Sequence, residues 1–125
     1  LADLKRWVEQ CVDEGFVTGL DGRIVPIRSK HAALNTVLQG GGALVMKKAC
    51  CLRYREINKV YTYGTQWADI LNVHDEFQSE AAKKEYAERI GKLSVQAIKD
   101  SGKYFELACP LDGEFKIGKS WAECH

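Results

Sequence analysis

From Lys30 into the region of Arg53, apolar residues keep helical spacing straight through three consecutive glycines. Ala33, Leu34, Val37, Leu38, Leu44, Val45, Ala49 and Leu52 recur at this spacing, and Ser29 stands where an N-cap belongs. No other stretch commits so many residues to one element. Gly40-Gly41-Gly42 oppose it. Each interior glycine costs roughly 1 kcal/mol against alanine, so the three together cost about 3 kcal/mol. Either the helix breaks there, or something approaches its backbone too closely for a side chain.

The flanking elements are shorter. Leu1 to Glu14 is predicted as a helix from the spacing of Leu1, Leu4, Val8, Cys11 and Val12, with Gly15 ending it. Phe16-Val17-Thr18 and Ile24-Val25-Pro26-Ile27 read as two strands around Asp21-Gly22, and Pro26 puts the second at an edge or near its end. Residues 54–66 read as a loop or irregular strand, Ala68 to Val73 as a strand, and Phe77-Gln78 as the start of its partner. Glu80 to Ser101 is predicted as a helix with a stripe of Ala82, Tyr86, Ile90, Leu93, Ala97 and Ile98, ended by Gly102. Two last strands are predicted, Tyr104 to Cys109 and Glu114 to Ile117. The expected class is α+β: an antiparallel sheet of hairpins with two long helices and a short N-terminal helix, in a single domain of 125 residues.

Charge is unevenly placed. Residues 22–55 carry seven basic side chains (Arg23, Arg28, Lys30, Lys47, Lys48, Arg53 and Arg55) and no Asp or Glu, against a net charge of +1 for the whole chain. A one-sign block of this kind is an electrostatic footprint for a polyanion. No apolar run approaches the roughly 18 residues of a membrane span, so no membrane partner is expected. The five cysteines (11, 50, 51, 109 and 124) have neither zinc nor redox spacing, and their odd number speaks against a disulfide framework. They read as reduced thiols of a cytoplasmic protein. A chain opening on Leu1 fits a piece of something longer.

One polar cluster interrupts the apolar flanks of the second strand pair: His74-Asp75-Glu76. A tight bend there would project Asp75 from the end of a rigid hairpin. In an unbroken strand, His74 and Glu76 would share the opposite face from Asp75. Adjacent carboxylates repel unless they are solvated or hold a cation. Mg²⁺ suits them, because it prefers oxygen ligands, keeps waters and is shared with phosphates.

Three segments then occur in a telling order: Arg28-Ser29-Lys30-His31-Ala32-Ala33-Leu34-Asn35-Thr36-Val37-Leu38-Gln39 with its glycines, Val73-His74-Asp75-Glu76, and the tail Gly118-Lys119-Ser120-Trp121-Ala122-Glu123-Cys124-His125. In that order they resemble the carboxy-terminal palm of family A DNA polymerases, in particular the replicative polymerases of short-tailed bacteriophages. The resemblance spans nearly the whole chain. It implies that Asp75 is the second of two aspartates holding two Mg²⁺ ions for nucleotidyl transfer, with Glu76 a neighbouring acid less essential to the metals. It implies that His74 contacts the primer near its 3′ end, and that Asn35 and Gln39 touch primer–template DNA in the minor groove. His31 stands where bacterial relatives have Arg and phage relatives His. The run of three glycines exceeds the family's usual pattern, and the stretch before the hairpin is short.

The spacing of His31, Asn35 and Gln39 suits those roles, because residues four apart line one helix face. Their polar tips could meet minor-groove acceptors that every base pair presents. Arg28 is a candidate phosphate contact, as are Arg23, Lys30 and Lys47. The first aspartate, the fingers and the thumb of the family lie outside this sequence. The chain alone is therefore expected to be inactive, with the missing polymerase portion completing the Mg²⁺ site and bringing dNTPs and primer–template together. The expected setting is the cytoplasm of a bacterial host, encoded by a phage or prophage. Isolated, the piece is expected to self-associate through surfaces that normally face its missing neighbours. Two other readings remain: a non-catalytic DNA-binding remnant of a polymerase gene, and a metal-dependent phosphohydrolase using His31, His74-Asp75 and Asp112.

Overall fold

The computed structural model describes residues 2–124. Leu1, where the first predicted helix begins, and His125, the last residue of the tail motif, lie outside the described residues. The described residues form an α+β fold of four helices and two two-stranded antiparallel sheets. The chain divides into two compact units, one up to Leu44 and one from Val45 onward.

In the first unit, α1 (Ala2–Glu14) buries Val8 and Cys11. Gly15 ends it in a left-handed conformation (φ +79°), donating to the carbonyls of Cys11 and Val12. The chain turns at once into β1 (Phe16–Thr18), which pairs with β2 (Ile24–Pro26) in the register Phe16↔Pro26, Val17↔Val25 and Thr18↔Ile24. Asp21 closes the connection by accepting from the Arg23 backbone N–H at 3.3 Å and pairing with the Arg23 guanidinium at 2.6 Å. Val8, Cys11, Val17 and Ala33 form the core of this unit, with Trp7, Val25, Ile27 and Val37 packed against it.

The long helix does not break. It runs as α2 (Lys30–Asn58) through all three glycines. Only Gly41 is pressed: an added Cβ would stand 3.3 Å from Leu20 Cδ1, whereas Cβ atoms at Gly40 and Gly42 would meet nothing within 4 Å. The helix also extends past Arg53, absorbing five residues of the segment 54–66 expected to be loop or strand. The reason lies in its buried stripe, since Ile57 continues the four-residue spacing of Val45, Ala49 and Arg53.

In the second unit, β3 (Trp67–Val73) and β4 (Glu76–Ala81) form a hairpin. Glu80 belongs to this ladder, paired with Ala68, so the following helix begins later than expected, as α3 (Lys84–Tyr104). Ile57, Trp67 and Ile90 form the core here, bringing α2, β3 and α3 together. The Ser101 hydroxyl donates to the Val45 carbonyl at 2.7 Å.

The two strands predicted between Tyr104 and Ile117 do not form. This stretch instead packs on α3 through gaps left by glycine. A Cβ on Gly102 would stand 2.9 Å from Leu111 Cγ, and one on Gly91 only 2.3 Å from the Phe115 ring. Gly113 lies against Ile98, and Lys99 pairs with Asp112 at 3.1 Å. Gly102 therefore does not end the helix. It makes room for Leu111, and Glu106 takes the left-handed position beyond the helix end (φ +52°). The tail closes with the short α4 (Trp121–Cys124), and the Glu123 carboxylate accepts from the Lys119 backbone N–H at 2.7 Å.

Candidate functional site

Asp75 stands at the tip of the β3–β4 hairpin. Val73 pairs with Glu76, which leaves His74 and Asp75 as a two-residue turn. The alternation of faces expected for an unbroken strand therefore stops at Val73. His74 adopts a left-handed backbone (φ +53°), a conformation costing a non-glycine residue roughly 1–2 kcal/mol. Both turn residues are exposed. Glu76 is half-buried at the first position of β4, and its carboxylate accepts from the Gln78 side-chain amide. The two acids are thus unlike: Asp75 projects into solvent, while Glu76 is engaged along its own strand.

The base of the hairpin is fastened by a residue counted in the basic block for a different purpose. Arg53 is 1% exposed, on the same stripe of α2 as Val45, Ala49 and Ile57. Its guanidinium donates to Ser94 Oγ of α3 at 2.8 Å, to the Asp69 carboxylate of β3 and to Ser79 Oγ of β4. Ser79 Oγ in turn donates to Asp69 at 2.9 Å, and Ser94 Oγ to the Ile90 carbonyl at 2.7 Å. The guanidinium carbon also lies 5.3 Å from the Trp67 ring centroid and 5.1 Å from that of Phe77. Arg53 is therefore part of the interior. A charged residue at four-residue spacing with Val45, Ala49 and Ile57 was the available sign of this.

The remaining basic residues of the block sort by partner. Arg23 pairs with Asp21, Lys30 with Glu9 at 2.8 Å and Arg55 with Glu56 at 3.2 Å, while Lys48 lies 3.5 Å from the Tyr104 ring centroid. Among the described residues, Arg28 and Lys47 are the two members of the block with no side-chain partner, and both are exposed.

His31, Asn35 and Gln39 are all exposed along the first half of α2, as their spacing predicts, while Ala33 and Val37 serve the core. They and Arg28 belong to the first unit; His74, Asp75 and Glu76 belong to the second. Among the described residues, no three His, Cys, Asp or Glu side chains gather into a cation cluster. What the apex offers a hard cation is one solvent-facing carboxylate, which suits an ion that keeps most of its waters. The phosphohydrolase reading loses its ligands: His74 and Asp75 lie on a turn, and Asp112 is held by Lys99 and by the Gly113 backbone N–H.

The family model for DNA polymerase family A matches residues 4–123. The DNA-directed DNA polymerase of Enterobacteria phage T3 is 36% identical over 133 aligned positions, taking in 100% of this chain and 19% of the relative. That of Escherichia phage T7 is 37% identical over the same shares. That of Escherichia phage Phieco32 is 30% identical over 119 positions, with 90% of this chain covered. The chain spans about a fifth of the length of these curated relatives. Among solved structures, the polymerase domain of Pol1 from M. smegmatis, in complex with DNA primer-template and dNTP, shares the fold. It matches with a TM-score of 0.72 and 24% identity, over 98% of this chain and 23% of that one.

Proposed function

The chain belongs to DNA polymerase family A, and from that premise we propose that it is the part of a DNA-directed DNA polymerase that contributes one metal-binding carboxylate, Asp75, and a DNA-facing helix to template-dependent nucleotidyl transfer. The observation that carries this is the exposed Asp75 on a two-residue turn whose strands are both held by the buried Arg53. A carboxylate meant to hold an ion needs both properties, an oxygen open to the ligand and a base that does not move.

Two Mg²⁺ ions bound in the completed enzyme would supply Lewis-acid stabilisation of an in-line displacement at phosphorus. This chain's share is to present the Asp75 oxygens, with the partner carboxylate coming from the remainder of the polymerase. Glu76, engaged with Gln78, has the lesser part. His74 would contact the primer near its 3′ end. His31, Asn35 and Gln39 would follow the minor groove through acceptors present in every base pair, which gives the sequence tolerance that copying demands. Arg28 and Lys47 would meet backbone phosphates, adding salt-dependent affinity. The reaction belongs in the cytoplasm of a bacterial host. In isolation the chain would self-associate through exposed apolar residues such as Ile70, Leu71 and Val73 of β3. Light scattering that gives one monomeric mass at every concentration would dismiss that point.

Primer extension by the complete polymerase tests the main proposal. Asp75→Asn is expected to slow incorporation on the order of a thousandfold, the scale on which a lost transition-state contact is felt. Glu76→Gln is expected to slow it far less. Equal effects of the two, or an active Asp75→Asn enzyme, would refute the assignment.

A further inference from the structure

We infer that Arg53 is a positioning residue for Asp75: it sets the register of β3 on β4 at a bulge, and thereby where the hairpin apex stands. The inference rests on the reading of Asp75 as the catalytic carboxylate. A buried cation needs a reason here, because an apolar side chain at the same place in the stripe would pack on Ile57 and Trp67 without desolvating a charge. Replacing a buried ion pair by apolar residues is often neutral or stabilising, so fold stability alone is a weak reason for it.

The geometry supplies a better one. Asp69 and Ser79 face each other across the ladder, and Arg53 bonds to both. Immediately apexward the register shifts: the next pair is Leu71↔Gln78, so Ile70 is the extra residue. From there the ladder runs evenly through Asn72↔Phe77 and Val73↔Glu76 to the turn. Strand register is specified strongly where one face is buried and weakly where it is not. Ile70 is 63% exposed and Leu71 45%, so burial does little to decide which of them is the unpaired one. If the whole of β3 slipped by one residue on β4, Asp69 would face Gln78 in place of Ser79, and Asn72 would face Glu76. The turn would become Val73-His74-Asp75, moving the backbone at the apex by about one residue, roughly 3.3 Å along the strand. The clamp at Asp69 and Ser79 is the contact that distinguishes these registers.

The test compares Arg53→Met, the double variant Arg53→Met/Asp69→Leu, and Asp75→Asn in the complete polymerase. The double variant exchanges the ion pair for apolar groups. Its Tm is expected to return toward that of the parent, while kcat stays on the order of a hundredfold low, the scale of a reacting group misplaced by an ångström. KM for dNTP should not change. Recovery of kcat together with Tm would reduce Arg53 to a stabilising residue and overturn the inference. Should the double variant fail to fold, Asp69→Asn carries the test, and an unchanged kcat in that variant would overturn it equally. Asp75→Asn separates the two claims: if that enzyme extends primers normally, the parent reading has failed. The register is then read directly by NMR, where loss of the Asn72–Phe77 cross-strand contact in the double variant supports the clamp and its retention refutes it.

Discussion

The two halves of α2 are built to opposite specifications. Residues 30–44 set Ala33 and Val37 on the core, expose His31, Asn35 and Gln39, and spend three successive positions on glycine. From Val45 onward the same helix sinks Val45, Ala49, Arg53 and Ile57 into the interior and bonds through Arg53 to β3, β4 and α3. Helix propensity does not separate the halves, because both are helical. What separates them is how many positions are committed to this chain's own packing and how many are left open to solvent. Gly40 and Gly42 are the clearest case: nothing in the fold requires them to lack a side chain.

Substitutions that trade the halves against each other should therefore diverge. The largest effect is expected at Arg53→Met, which strands Asp69, Ser79 and Ser94 without their donor and should cost about 3 kcal/mol in urea unfolding. Removal of the exposed His31 imidazole in the other half should leave the unfolding midpoint in place. Glycines provide the next contrast. Gly91→Ala must push the Phe115 ring off α3, a net loss of about 1–2 kcal/mol after the gain in helix propensity. Gly40→Ala has open space to fill and should stabilise the chain by about 0.5–1 kcal/mol. If it also weakens primer–template binding by the complete enzyme, the glycine serves a close approach by DNA. If it destabilises the fold, the contrast between the halves is broken.

The smallest effect concerns the tail. The Gly113 backbone N–H, and after it Lys99, hold the Asp112 carboxyl below its ordinary value. A carboxyl whose folded pKa lies below its unfolded one stabilises the fold above the unfolded value, near 3.9, and loses that contribution as pH falls through the folded value. The tail should thus loosen from α3 only in acid, seen as faster amide exchange around Leu111 below that point. Asp112→Asn should remove the pH dependence.

Much of this was legible in the sequence. The apolar spacing gave α1, α2 and α3, Asp21-Gly22 gave the first hairpin, and the polar triplet between apolar flanks gave the second, with Asp75 at its tip. What was misread depended on contacts distant in sequence. Phe115 and Leu111 look like strand residues until Gly91 and Gly102, on another element, provide the gaps that hold them. Arg53 looked like one more cation in a basic block until Asp69, Ser79 and Ser94 converged on it. Local pattern reports on elements, and only the assembled fold shows which charges are spent internally.

The central claim is a division of labour, with binding on the first half of α2 and chemistry at the hairpin apex that the second half supports. Single-turnover incorporation, measured with primer–template Kd on the same samples of complete polymerase, tests it most directly. Asn35→Ala/Gln39→Ala should raise Kd by about tenfold or more, the yield of two lost hydrogen bonds, with the single-turnover rate at saturating DNA little changed. Asp75→Asn should do the reverse, abolishing most of the rate while Kd holds. A rate that survives Asp75→Asn, or a Kd indifferent to the helix variants, would contradict the account.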